Sequence, residues 1–244
     1  MKKKLTLLFI IFINTVVYAQ SISGKVTYVV SMESFSDKKI DSISKKLKEK
    51  KIKMNKWVRD IFKNTPNVNA FLVFSNGESL YIVEDKMQND GKKTFNINRT
   101  FAGGDNRYYK NTKTKEYFFE NNTAELLLTD LKPKKWKITQ ESKIIGGYLC
   151  YKAIDIASTN KKMKPIAWFT PQIPVSFGPK EFNGLLGLVI LVEKKRVTIS
   201  ASKIVLNHKK NLKINKPTKG KKETIEEYEK RVDSFMKFLR KKDD

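Results

Sequence analysis

The chain has 244 residues, with 50 Lys and Arg against 25 Asp and Glu for a formal net charge of +25, and it is 40% hydrophobic with 15 Phe, 9 Tyr and 3 Trp. That length allows one domain, or one domain plus appendages, and the aromatic content excludes a disordered chain. The charge excess is lysine, with arginine only at 59, 99, 107, 196, 231 and 240; nucleic-acid readers rely on arginine forks, so nucleic acid is excluded and an anionic membrane surface suits this charge better.

Lys2, Lys3 and Lys4 precede an apolar run from Leu5 to Ile13, and Val17-Tyr18-Ala19 precedes Gln20. This is the pattern of a cleavable signal peptide over residues 1–19, and the run is too short for a good membrane span. The expected location is the periplasm, with the extracellular space as the alternative. Ser23 to Met32 then alternates as a strand, with Val26, Tyr28 and Val30 on one face. Ile43, Leu47, Met54, Val58 and Ile61 recur at helical steps, interrupted by Lys50 and Lys51, and predict a helix over about 41–64. Asp41 or Ser42 would cap it, and Asn64 to Pro66 would end it. Ala70 to Ser75 and Ser79 to Glu84 flank Asn76-Gly77, a strong hairpin signal. Asp85 to Asn106 reads as a long polar loop. A second hairpin joins Arg107 to Lys110 with Glu116 to Glu120, and Glu125 to Thr129 is a short strand.

Trp136 to Ile145 and Tyr148 to Ala157 form a hairpin around Gly146-Gly147. Cys150, the only cysteine, lies in the second of these strands and reads as a small buried hydrophobe. Ile166 to Thr170 is the next strand. Residues 171–187 then gather Pro171, Pro174 and Pro179 with Gly178, Gly184 and Gly187. A last hairpin pairs Leu188 to Glu193 with Val197 to Leu206. Strands joined in succession by short turns imply an antiparallel sheet. The expected fold class is α+β, mainly antiparallel β: a curved open sheet or half-barrel-like meander with one inserted helix and a C-terminal helix. Residues 20–206 form this domain. Residues 207–244 read as a basic linker and an amphipathic helix from Thr224 to Lys242, opened by a capping box of Thr224 and Glu227.

The sequence excludes several chemistries. His208 is the only histidine, which removes a His-paired nucleophile and a two-histidine zinc site. No P-loop, G-x-G-x-x-G or G-x-S-x-G is present. Carboxylates are the remaining acid–base candidates: Glu181 and Glu193, with Asp155 and Glu141 on the preceding hairpin. No catalytic residue, metal or cofactor is assigned.

Several blocks carry a family likeness: Lys135 to Thr139, Ile145 to Tyr148 with Cys150, Lys152-Ala153, Ala167 to Pro171, Ile173 to Ser176, Gly178-Pro179, Phe182, and Gly184-Leu185-Leu186-Gly187-Leu188-Val189. Together they resemble the GLPGLI family of exported Gram-negative proteins, with Leu186 where that family has proline. The resemblance implies no activity. Its motif residues here are Trp168, Phe169, Pro171, Pro174, Gly178, Pro179, Phe182, Gly184, Leu185, Gly187 and Leu188. They are the vocabulary of backbone shape, and a structural crossover is preferred to a ligand-binding lip. The expected function is a non-enzymatic, exported, envelope-associated binding protein for an apolar ligand or partner. The alternatives are an interaction protein docking an envelope protein through its C-terminal helix, and a carboxylate-dependent hydrolase.

Overall fold

The computed structural model describes residues 22–231 and Ser234, apart from 50–52, 57–58, 61–62, 64, 86–95, 122–124, 130, 159–163, 208–211 and 213. The signal segment and His208 lie outside the described residues.

Strands β1 (Gly24–Met32), β2 (Val68–Ser75), β3 (Glu78–Val83), β4 (Asn106–Asn111), β5 (Glu116–Asn121) and β6 (Leu126–Thr129) follow one another as an antiparallel meander. A second meander runs β7 (Trp136–Ile145), β8 (Tyr148–Asp155), β9 (Ile166–Thr170), β10 (Leu188–Lys194) and β11 (Val197–Leu206). Strand β11 closes onto β1, and β12 (Lys221–Thr224) adds a parallel edge beside β6. The result is one open sheet in the order β12-β6-β5-β4-β3-β2-β1-β11-β10-β9-β8-β7. The expected mainly antiparallel, open sheet is the fold. Its hairpins turn where the sequence placed them, with positive φ at Asn76, Gly77, Gly146 and Gly147.

The curl of the sheet follows from chain length. Strands β6 and β7 stand ten steps apart in the sheet. Laid flat, that is about 48 Å at about 4.8 Å per strand. The connection from Thr129 to Trp136 reaches at most about 25 Å when fully extended. The two margins must therefore bend toward each other. The space enclosed is lined by Val26, Tyr28, Val30, Leu72, Phe74 and Tyr81, all at most 1% exposed.

Helix α1 (Asp37–Glu49) begins on Ser36, whose carbonyl accepts from the Ile40 amide at 3.0 Å. Of its side chains only Ile40 is buried. The expected continuous helix over 41–64 is corrected: it starts earlier, and residues 53–55 are not helical. Its apolar stripe lapses between Leu47 and Met54, so no continuous face holds the two halves to the sheet. The expected loop at 85–106 contains a helix, α2 (Ile97–Ala102), whose cap is the Asn96 side chain accepting from the Asn98 and Arg99 amides at 2.8 and 3.2 Å.

The segment read as a basic linker is a strap. Ile214 packs on Tyr109, Phe118 and Leu127, and Pro217 is buried. The Lys216 ammonium pairs with Glu116 and lies 5.8 Å from the Tyr109 ring centre. The Lys219 amide donates to Glu120 Oε1 at 2.6 Å, and β12 follows. Residues 225–231 are helical, and the capping box forms as expected: the Thr224 amide donates to Glu227 Oε2 at 2.7 Å, and the Glu227 amide to Thr224 Oγ1 at 3.2 Å.

Candidate functional site

The Pro/Gly segment 171–187 lies inside the curl. Ile173, Phe177, Phe182 and Leu185 are at most 3% exposed and belong to the main core. Phe177 packs on Phe74 of β2 at 5.9 Å between ring centres, and Phe182 on Trp136 of β7 at 6.5 Å. The Val189 amide donates to Phe177 O at 3.0 Å, while Val189 O accepts from the Tyr28 hydroxyl at 2.6 Å. Of the motif residues, Trp168, Phe169, Gly178, Pro179, Phe182, Leu185, Gly187 and Leu188 are buried, whereas Pro171, Pro174 and Gly184 are exposed. Leu186, the position that departs from the GLPGLI pattern, is 78% exposed. The segment is a structural crossover that fills the curl and ties its two halves together.

The tie is polar at one point. Lys110 of β4 donates from Nζ to Ser176 O at 3.2 Å and to Asn183 Oδ1 at 2.9 Å. Asn183 O accepts from Trp136 Nε1 at 2.9 Å. The Tyr117 hydroxyl donates to Lys180 O at 3.5 Å. Burial pushes the Lys110 ammonium down from 10.5 to about 8. The same burial pushes Tyr28, Tyr81, Tyr108 and Tyr117 upward. Between pH 7 and 9 the unfolded chain therefore holds more protons at Lys110 than the folded chain does. Stability should rise with pH in that window by about 1 kcal/mol. Between pH 9 and 10 the four tyrosines reverse the slope, because the unfolded phenols ionise first. Urea titrations at pH 7, 8, 9 and 10 test this, and Lys110→Met should abolish the rise.

The other face of β7–β10 carries Trp168. Strand alternation points it away from Phe169, and it stands opposite Lys152 in β8. Its Nε1 donates to Glu193 Oε2 at 2.8 Å. The Lys143 ammonium lies over the indole at 3.9 Å and 4.0 Å from Glu193 Oε1. Lys152 Nζ contacts both Glu141 oxygens at 2.9 Å. Trp168 is only 7% exposed and belongs to the main core, so Lys143, Glu193, Lys152 and Glu141 form a polar layer over a buried indole. The carboxylates singled out from sequence are each engaged by partners within the chain. Glu193 serves Trp168, whereas Glu181 lies 3.6 Å from Lys180 Nζ and its charge acts on Tyr81, Tyr108 and Tyr117. Asp155 is fully buried against Lys134 Nζ at 3.1 Å. Cys150 is buried, and burial pushes its thiol up to about 11, the opposite of what a nucleophile needs. The Lys143–Trp168 contact is the feature sequence reasoning missed; the cross-strand register that joins 143 to 168 leaves no local signal.

The family described as N-glycanase peptide, N-terminal domain, matches residues 52–230. No protein of curated annotation matches by sequence. Among solved structures, the chain is similar to PNGF-II in its P21 crystal form at 18% identity and a TM-score of 0.51, covering 88% of this chain and 33% of that one. For the C2 form the identity is 18% and the TM-score 0.45, covering 81% and 28%. The chain spans about a third of the length of the structures it matches, and at this identity the likeness extends to the fold alone. The GLPGLI resemblance is corrected by the family match, which contains every block quoted for it. Proline, glycine and apolar blocks record how a sheet is closed, a need that different families share. The expected apolar-ligand carrier of the envelope is corrected with it: Ile173, Phe177, Phe182 and Leu185 occupy the enclosed space such a ligand would take.

Proposed function

This chain belongs to the family of N-glycanase N-terminal domains, and on that premise we propose that it is a non-catalytic module directed at glycoproteins, acting outside the cytoplasm. The observation that carries the reading is the Trp168 indole and the charged layer of Lys143, Glu193, Lys152 and Glu141 over it. An indole offers a sugar ring an apolar face, and Glu193, Glu141, Lys143 and Lys152 offer hydroxyl groups charge-assisted partners. In the chain as it stands Trp168 is 7% exposed with Lys143 over that face, so a sugar must displace Lys143 toward Glu193 to reach it. The signal-type segment of Lys2 to Ala19 supports export.

The test titrates the protein with an asparagine-linked glycopeptide and with the same peptide lacking its glycan. The glycopeptide should bind and alter indole fluorescence, and the bare peptide should not. Glu193→Gln and Lys143→Glu should each weaken binding about fivefold or more at an unchanged melting temperature, as loss of a charge-assisted contact does. Equal binding of both peptides sinks the glycan reading. Mass spectrometry of the glycopeptide after incubation tests the other half: conversion of its asparagine to aspartate would overturn the non-catalytic assignment.

A further inference from the structure

Beside the β10–β11 turn, a second feature is left over. The β10–β11 turn, residues 32–35, α2 and the crossover enclose a hollow of about 260 Å³. Its walls are Phe35, Ile97, Phe101, Phe182 and Ile199. Phe101 stands at the surface with 37% of its area exposed. Four cations rim it: Lys180, Lys194, Lys195 and Arg196. Two are engaged within the chain. Lys180 donates to Phe101 O at 3.1 Å, and Arg196 stacks over the Phe35 ring at 4.1 Å, with Glu33 3.5 Å away. Lys194 and Lys195 are exposed, and among the described residues neither forms an ion pair. They sit on the hairpin turn itself, where Lys195 holds φ at +59. Asparagine or glycine fills such a position at less strain, so the turn presents cations at a conformational cost.

Size and charge together select an occupant. The hollow is smaller than the roughly 300–1,000 Å³ of small-molecule sites, and suits one large side chain. A buried aromatic anchor ringed by polar contacts is the way protein segments dock. The rim demands negative charge around that anchor. We propose that this hollow receives one aromatic side chain of an acidic polypeptide segment, with Lys194, Lys195 and Arg196 pairing the carboxylates on either side. The proposal does not depend on the glycan reading, which concerns the Trp168 face.

The probe is a labelled peptide of one tryptophan flanked on each side by aspartate and glutamate, followed by fluorescence anisotropy with the full chain. Binding should weaken about tenfold when the tryptophan is alanine, and should vanish when the flanking acids are lysine. It should also weaken as salt rises, since the rim charges are exposed. K194E/K195E should reduce binding about tenfold, and the equal charge reversal K46E/K48E on α1 should not. If the rim reversal lowers the melting temperature, Ile97→Trp, which narrows the hollow, supplies the same test. Equal binding of the tryptophan and alanine peptides would overturn the proposal, because attraction to a chain of charge +25 would then account for it. Equal loss from the rim and α1 reversals would overturn it as well.

Discussion

Replacing Gly187 with alanine is expected to abolish the folded state or to destabilise it by about 4 kcal/mol or more, among the largest effects a single substitution has. An added Cβ at 187 would lie 2.1 Å from Thr170 O and 2.5 Å from Thr170 C. Both are backbone atoms at the end of β9, so nothing flexible can move aside. Gly178→Ala should behave alike, since its Cβ would lie 2.0 Å from Phe182 O and 2.8 Å from Val189 Cβ. Gly184→Ala is the internal control. Gly184 holds φ at +90 with nothing within 4 Å of its Cβ site, so alanine there meets backbone strain alone, about 1–2 kcal/mol. Whole domains are stable by only about 5–15 kcal/mol, so the first two variants should express poorly or melt far earlier. Urea unfolding of all three, or soluble yield where no folded protein is recovered, gives the ranking. A Gly187→Ala protein no less stable than Gly184→Ala would mean that the crossover is not pinned against β9.

That contrast marks where sequence reading succeeds. Alternation located the principal strands, because each buries alternate residues: Val26, Tyr28 and Val30 on β1, Ala70, Leu72 and Phe74 on β2. Asn76-Gly77 and Gly146-Gly147 located two turns through local backbone preference. Gly184 and Gly187 look alike in sequence, yet one is needed for its φ and the other for the approach of β9. Only the packed structure separates them. Helix α2 escaped detection because six residues are too few for a stripe, and its cap is an asparagine within a polar run. The strap escaped because its anchors, Ile214 and Pro217, are scattered among lysines, and β12 reads Lys-Lys-Glu-Thr without alternation. The charged layer over Trp168 required cross-strand register, which no single strand encodes. The family was misread for a related reason: the motif serves closure of the sheet, and it identifies that architecture more readily than a lineage.

Removing the Arg107 guanidinium is expected to be the most costly change outside the crossover. Glu120 is 1% exposed, and its Oε2 accepts from Arg107 Nη1 at 3.0 Å across the β4–β5 pair. Its other oxygen accepts from the Lys219 amide of the strap. Arg107→Met leaves a buried carboxylate with one backbone donor, which should cost about 3 kcal/mol. Arg107→Met combined with Glu120→Leu removes both charges and should recover most of that loss, leaving about 1 kcal/mol for the unpaired Lys219 amide. The shortfall from additivity isolates the pair, since the two residues face each other in register. The two variants also differ in what they do to the strap. Glu120 is its buried polar anchor among the described residues, and Lys216–Glu116 is a surface contact of small worth. Trypsin cleavage within 214–222 should therefore speed up in both, and more in the double variant, where the anchor itself is gone. If the double variant recovers stability while the strap is cut faster, the ion pair holds the sheet edge and the carboxylate alone holds the strap. Cleavage at an unchanged rate would place the strap's attachment in the β6–β12 pairing and the Ile214 contacts, and leave Glu120 a role confined to β4 and β5.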